Sequence, residues 1–278
     1  KLSNMKKKLL ALIFLFLLNT CSSDKNPTTN TQLNNDVELY NAGLKFLKTK
    51  KIDEAIEKFT ELEIQYPYSD WSARGQMLIG FSHYSNKEYD EAILSLSKFT
   101  ELNPDHPLVP YAIFLKGYSY YERIPSIELD QEYSAKALEE FLELTNRYPN
   151  SKYKKKSFEI IKILRNHLSS KELLVGKFYQ SKGNYLAAIK RYKQVLKKYK
   201  RSVHTPESLF RLIECYTSLG LVKQANYLYK ILSYNFPKSS WKKEGETLAK
   251  KYKINVNLKK YNKQAIDLDN LKDKDFEL

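Results

Sequence analysis

The chain has 278 residues, 28% of them charged, and a formal net charge of +15. Two cysteines exclude a disulfide-stapled scaffold, and eight glycines with nine prolines exclude collagen-like and low-complexity chains. The excess of Lys and Arg over acids points to anionic partners or a membrane surface.

In chain order, the first element is a targeting segment. Lys6, Lys7 and Lys8 precede an unbroken apolar run over residues 9–18, the basic-then-apolar order of a secretory signal. The ten residues of that run are too few for a permanent span, which takes about 20. Met5 is the only methionine near the start, so residues 1–4 are expected to precede the initiation point. The run ends in Leu18-Asn19-Thr20-Cys21-Ser22. This string resembles a bacterial lipobox, although Thr20 is larger than the usual Gly or Ala. The resemblance implies a signal peptide over residues 1–20 and a covalent lipid on Cys21. Ser rather than Asp at position 22 implies sorting to the inner face of the outer membrane. Acyl chains act through burial of about 0.8 kcal/mol per CH₂, and stable anchoring needs more than one. Loss of residues 1–20, which hold four lysines and no acid, lowers the charge from +15 to +11. Nucleic acid is not an expected partner of an exported chain. The Ser/Thr/Asn-rich stretch that follows Cys21 reads as a flexible tether over residues 21–35.

Next comes a repeat. Ala, an aromatic or Leu four residues on, and Pro eight residues beyond it recur as Ala55-Phe59-Pro67, Ala92-Leu96-Pro104, Ala137-Phe141-Pro149 and Ala225-Tyr229-Pro237. A further copy, Ala188-Tyr192, has Lys200 in place of Pro. Gly43, Gly80 and Gly176 stand twelve residues before their alanines, whereas Gly117 stands twenty before Ala137. The difference places an insertion at residues 124–131. This is the tetratricopeptide pattern. Small residues let two antiparallel helices approach, the aromatic is expected to fill the gap toward the next hairpin, and Pro ends the second helix. The fold predicted is therefore all-α: a tetratricopeptide-type solenoid of five helical hairpins with a C-terminal capping helix. The repeats fall at 36–69, 73–106, 110–151, 152–201 and 206–239, with the cap at 239–252. The stretch between Ser151 and Lys182 lacks Pro and reads as one helix of about 30 residues. Residues 253–278, charged and poor in large apolar side chains, read as a loosely ordered tail.

Chemistry-bearing motifs are sparse. His83, His106, His167 and His204 show no metal-type spacing, and no phosphate loop, dinucleotide fingerprint or nucleophile elbow occurs. Neither an enzymatic activity nor a cofactor, other than the lipid on Cys21, is expected. Cys215 lies in an apolar stretch and reads as a small buried hydrophobe. Two features suit binding. Tyr66, Tyr68, Trp71, Phe81 and Tyr84 gather around the first two repeats, where aromatics could line a groove for extended peptide or simply pack the repeats. Residues 190–201 hold seven basic residues and no acid, which fits either a solvated helix face or a site for an acidic protein.

Two strings then carry a resemblance to a family. Phe99-Thr100-Glu101-Leu102-Asn103-Pro104-Asp105-His106-Pro107, running into Tyr111 and Lys116-Gly117, and Tyr148-Pro149-Asn150-Ser151-Lys152-Tyr153 resemble repeat junctions of the BamD family, tetratricopeptide lipoproteins of the β-barrel assembly machinery. The resemblance covers about residues 5–250. It implies a non-enzymatic subunit that binds the membrane-proximal periplasmic domain of BamA through its C-terminal repeats. It further implies N-terminal repeats that recognise unfolded outer-membrane proteins, with other assembly-machinery lipoproteins as partners. Tyr66, Tyr68 and Trp71 then become candidate substrate-peptide residues. Arg191, Lys197 and Lys198 become the candidate partner interface, Lys197 standing where the family has an arginine that contacts BamA. Another envelope scaffold of the same repeat type, for constriction or pilus assembly, is the alternative.

Overall fold

The computed structural model describes residues 28–252 and 266–270, with side chains from residue 35. Among the described residues eleven α-helices follow one another. They are α1 (Thr28–Lys48), α2 (Ile52–Gln65), α3 (Asp70–Ser85), α4 (Tyr89–Leu102), α5 (Val109–Glu122) and α6 (Glu132–Arg147). Then come α7 (Lys154–Ser181), α8 (Tyr185–Lys198), α9 (Thr205–Ser218), α10 (Val222–Asn235) and α11 (Ser240–Lys251). Among the described residues there is no strand. Consecutive helices pack on one another along the whole chain, giving five hairpins, α1–α2 to α9–α10, closed by α11. The 28-residue α7 is the long first helix of the fourth hairpin. No helix of the described residues is long and apolar enough to cross a membrane.

Each second helix buries an Ala, a large residue four positions on and another three beyond it. In α2, Asp53 and Glu54 lie in the first turn, where acids offset the helix dipole. Ala55, Phe59 and Leu62 form its buried stripe at helical spacing. The helix stops at Tyr66 because Pro67 disfavours helical backbone in the residue before it. The chain then restarts through one device. In Pro67-Tyr68-Ser69, Pro149-Asn150-Ser151 and Pro237-Lys238-Ser239, the serine Oγ accepts from the amide two residues on, at 3.2 Å each time. In the second junction His106 stands in that serine's place, and its Nδ1 accepts from the Leu108 amide at 3.1 Å. The ring lies edge-on to Phe99, 5.4 Å between centroids. The histidine thus braces the turn that leads into α5; burial, then the neighbouring Arg74 charge, holds its pKa below the usual value, which suits an accepting nitrogen.

The repeat glycines explain the helix spacing. A Cβ added at Gly43 would lie 2.5 Å from the Phe59 ring, and one at Gly80 2.6 Å from Leu96. One at Gly117 would lie 3.0 Å from the Phe141 ring, and one at Gly176 would overlap Tyr192. The large side chain therefore rests on the glycine of its own hairpin, rather than only reaching toward the next one. Sixteen residues further along stands a second column of small, buried residues, Gly75, Ala112, Ser157, Ser208 and Gly245; at Gly75 an added Cβ would lie 3.6 Å from the Phe59 ring. In the last hairpin Ile213 occupies the glycine position and is itself buried, while a Cβ added at Gly245 of α11 would lie 3.3 Å from the Tyr229 ring. The insertion at 124–131 loops out between α5 and α6. Lys171 of α7 donates to the Glu128 carbonyl at 2.6 Å, tying the loop down.

Two segments differ from their sequence reading. The stretch read as a tether is helical from Thr28 onward. Asp36, 3% exposed, accepts from the Ser69 hydroxyl and pins α1 to the start of α3, a tertiary contact that overrides weak Thr/Asn helix propensity. The stretch read as a loose tail has residues 266–270 docked on the last hairpin, with Ile266 and Leu268 buried at 2% and 6% exposure. Residues 1–27, including the signal and Cys21, and residues 253–265 and 271–278 lie outside the described residues.

Gly176→Ala tests the close approach. Overpacking costs about 1–3 kcal/mol, partly offset by the better helix propensity of Ala, about 1 kcal/mol. Because the added Cβ would overlap the ring, the upper end of that cost applies, and the variant is expected to lose about 2 kcal/mol in urea denaturation followed by circular dichroism. Unchanged or raised stability would show that the ring does not rest on bare backbone.

Candidate functional site

Three surfaces stand out. The first is the α2–α3 turn. Tyr66 ends α2 half-buried, and Tyr68 projects wholly into solvent at 101% exposure. Trp71 turns the other way. Its ring lies 4.8 Å from that of Tyr40, and the Arg74 guanidinium covers it at 4.9 Å. Tyr40 in turn approaches Phe59 at 6.0 Å. Trp71 therefore packs in the seam between α1 and α3, and Tyr68 is the solvent-facing member of the three. Phe81 and Tyr84 pack, half-buried, against the core of the second and third hairpins.

The second surface joins the two junction strings, some 40 residues apart in sequence. Tyr153 stacks on Tyr111 at 5.3 Å and on Phe114 at 4.7 Å, so the α4–α5 and α6–α7 loops share a wall. The cleft between them, about 420 Å³, is lined by Pro107, Pro110, Tyr148, Pro149 and Tyr153, with Arg147 and Lys152 among the polar groups. Both cations lie over tyrosine rings, Arg147 over Tyr148 at 5.3 Å and Lys152 over Tyr153 at 5.2 Å. Prolines and aromatics give rigid apolar walls, and the cations favour negative charge.

The third surface is a basic concavity of about 210 Å³ where α8 ends. Lys197, Lys198, Lys200 and Arg201 line it, joined by Arg165 from α7, all five cationic among the described residues. Burial, and secondarily the Arg201 charge, depresses the Arg165 pKa. Arg191 is not part of it; its guanidinium pairs with Glu172 at 3.3 Å. The structure thus unites Lys197 and Lys198 with Arg165, which the sequence alone did not single out, and separates them from Arg191.

Comparison with known proteins gives this arrangement a family. Residues 33–231 match the family model YfiO, described as an outer membrane lipoprotein. The outer membrane protein assembly factor BamD of Rickettsia prowazekii is 33% identical over 249 residues, 89% of this chain and 98% of that protein. This chain belongs to the BamD family. The BamD of Caulobacter vibrioides is 37% identical over 203 residues, covering 73% of this chain and 67% of the relative. The BamD of Neisseria meningitidis is 27% identical over 248 residues, covering 84% and 93%. Both junction strings that resemble BamD lie inside the matched residues, and they meet in the second surface.

Behind the surfaces, this BamD family member buries polar networks. Lys116 pairs with Glu140 at 2.9 Å, both largely buried, and burial raises the Glu140 pKa although Lys116 opposes the shift. In the C-terminal hairpins the Tyr192 hydroxyl donates to Gln180 Oε1 at 2.7 Å. Gln180 donates to Glu214 at 3.0 Å, and Arg211 meets the same carboxylate at 2.8 Å. These contacts tie α7, α8 and α9 together. Among the described residues no group of His, Cys, Asp and Glu could hold a metal ion. Cys215 is fully buried, and burial, with the Glu214 charge second, pushes its thiol up to about 12.

A thiol so placed is almost wholly protonated at pH 8, and the thiolate is the nucleophile. In a Cys21→Ser chain, Cys215 is expected to resist an aromatic disulfide reagent while folded and to react stoichiometrically in denaturant. Rapid labelling in native buffer would contradict this burial.

Proposed function

We propose that the chain is a non-catalytic, lipid-anchored subunit of the machinery that inserts β-barrel proteins into the outer membrane, held at the periplasmic face through an acylated Cys21. The observation that carries this reading is the basic concavity in the fourth repeat of a chain from the BamD family, five cations drawn together from α7 and the end of α8. In the proposal it receives an acidic surface of the membrane-proximal periplasmic domain of BamA. Lys197 lacks the bidentate fork of an arginine, but Arg165 beside it supplies one. Complementary charge raises the association rate and fixes register, while neighbouring apolar contacts hold the complex.

The N-terminal repeats then face unfolded outer-membrane proteins. Tyr68 offers an exposed ring and Tyr66 a half-buried one at the same turn. Trp71 supports the turn from within, because its faces are occupied by Tyr40 and Arg74. A solenoid suits this task, since successive turns present their loops along one line and can follow an extended segment. Other lipoproteins of the machinery are further partners.

Two measurements test the reading. Lys197→Glu with Lys198→Glu is expected to lower BamA recovery in membrane crosslinking about tenfold at low salt, and Arg165→Ala should weaken it in the same direction. Unchanged recovery would return these cations to a solvated face. Cys21→Ser should move the chain from the outer-membrane fraction to the soluble periplasm with unchanged helicity. Persistence with the outer membrane would remove the lipid as principal anchor.

A further inference from the structure

The first three hairpins begin at one edge, and the chain enters α1 from that edge. α1 starts at Thr28, seven positions after Cys21, a reach of at most about 25 Å for a fully extended chain. Eight residues into α1, Asp36 accepts from the Ser69 hydroxyl at the start of α3. Helix direction alternates through the hairpins, so α5 and α7 start at the same edge, where Tyr111 and Tyr153 stack at 5.3 Å. The junctions there differ in charge. Residues 66–70 and 103–107 hold no Lys or Arg, whereas residues 147–156 hold five and no acid. Arg147 and Lys156 pair with Glu143 and Glu159, at 3.1 and 3.2 Å. Among the described residues Lys152, Lys154 and Lys155 pair with no carboxylate, and Lys152 and Lys155 are exposed. Arg147 and Lys152 also line the cleft of about 420 Å³ whose apolar walls are Pro107, Pro110, Tyr148, Pro149 and Tyr153.

We propose that the α6–α7 junction is a second membrane contact: its cleft takes the phosphodiester headgroup of an anionic phospholipid, and Lys154 and Lys155 lie against neighbouring headgroups of the same bilayer. The inference rests on the acylated Cys21 proposed above, because that anchor holds this edge within reach of the surface. Three features favour lipid over an acidic protein. Lysine is a flexible, strongly hydrated point charge without the fork that suits a fixed carboxylate, and it is depleted from the centres of protein interfaces. Tyrosine beside cations is the composition of the bilayer–water boundary, where the ring sits at headgroup depth. An anchored chain also meets the surface at high effective concentration, so each weak charge contact adds to the anchor. The acyl group fixes one point; the junction sets which edge lies down. The basic concavity at α8 stands apart from this contact. Asn166 Oδ1 accepts from the Val203 amide at 3.0 Å, which places the α8–α9 turn twelve residues along α7 from its start, a distance of about 18 Å.

The experiment uses the acylated protein carrying Asn146→Cys, reconstituted into vesicles of phosphatidylcholine with or without phosphatidylglycerol. Asn146 is exposed, one residue before Arg147 and outside the cleft lining. Cys215 is buried, so a thiol-reactive fluorophore reports from position 146 alone. Quenching by brominated lipid is expected to rise about twofold or more with phosphatidylglycerol. Lys152→Glu with Lys155→Glu should abolish the rise, and Lys50→Glu with Lys87→Glu, at the α1–α2 and α3–α4 turns of the opposite edge, should leave it. Equal quenching in the two vesicles, or a rise that survives Lys152→Glu with Lys155→Glu, would overturn the proposal while leaving the anchor intact. A chain that attaches to neither vesicle would overturn both. If a soluble polyglutamate peptide shifts the fluorescence and anionic vesicles do not, the junction is a site for acidic protein and the proposal falls.

Discussion

The solenoid depends on large side chains resting on bare backbone. Phe59 over Gly43, Leu96 over Gly80, Phe141 over Gly117 and Tyr192 over Gly176 set the distance between the two helices of four successive hairpins. A methyl group at any of these glycines would have to push a ring or a branched side chain out of a closely packed interior. Phe59 also lies against Gly75 and Tyr229 against Gly245 of the following helix, so the same side chains bear on the pitch to the next element there. The stack is nearly one-dimensional, and an error in one socket is felt mainly by its neighbours.

That geometry also decides where binding can occur. The surfaces described above lie mostly at turns and helix ends, although helix faces also leave side chains such as Leu94, Phe158 and Phe178 exposed. Four of the five junction turns share one construction, Pro followed two residues later by an oxygen or nitrogen that accepts from the amide two residues further on. Rigid turns hold side chains such as Tyr68 and Tyr153 at fixed places, which lowers the ordering cost when a flexible segment binds. The network of Tyr192, Gln180, Glu214 and Arg211 does the same for the fourth and fifth hairpins. It holds α7 and α8, which carry the basic concavity, against α9.

Much of the fold was legible because the repeat is written in residue size: Gly, Ala and an aromatic at fixed spacing define a hairpin wherever they recur. Spacing gives phase, however, and not the direction of contact, so the seating of Phe59 on its own hairpin's glycine was not readable. Residues 28–35 read as tether because Thr and Asn disfavour helix, and only the distant Ser69 holding Asp36 reverses that. The tail misled for a similar reason, since Ile266 and Leu268 are two aliphatics in a charged stretch with no periodicity around them. The basic interface was half legible. Arg191 and Lys197 are neighbours in sequence, but six residues turn a helix by about 240° at 100° per residue, and Arg191 faces Glu172 instead. Arg165 lies 32 residues before Lys197, and only the packing of α7 on α8 brings it alongside.

Lys200 shows what a departure from the pattern is for. Four junctions carry Pro at that position, and the fourth repeat alone carries a cation there, in the wall of the concavity. The turn closes without Pro because the Thr205 hydroxyl donates back to the carbonyls of Lys200 at 2.9 Å and Tyr199 at 3.2 Å. Restoring the consensus residue would make a more regular array and a poorer receptor. In such arrays the blemishes in the repeat, rather than its best-kept positions, are where one copy has been given work its siblings do not share.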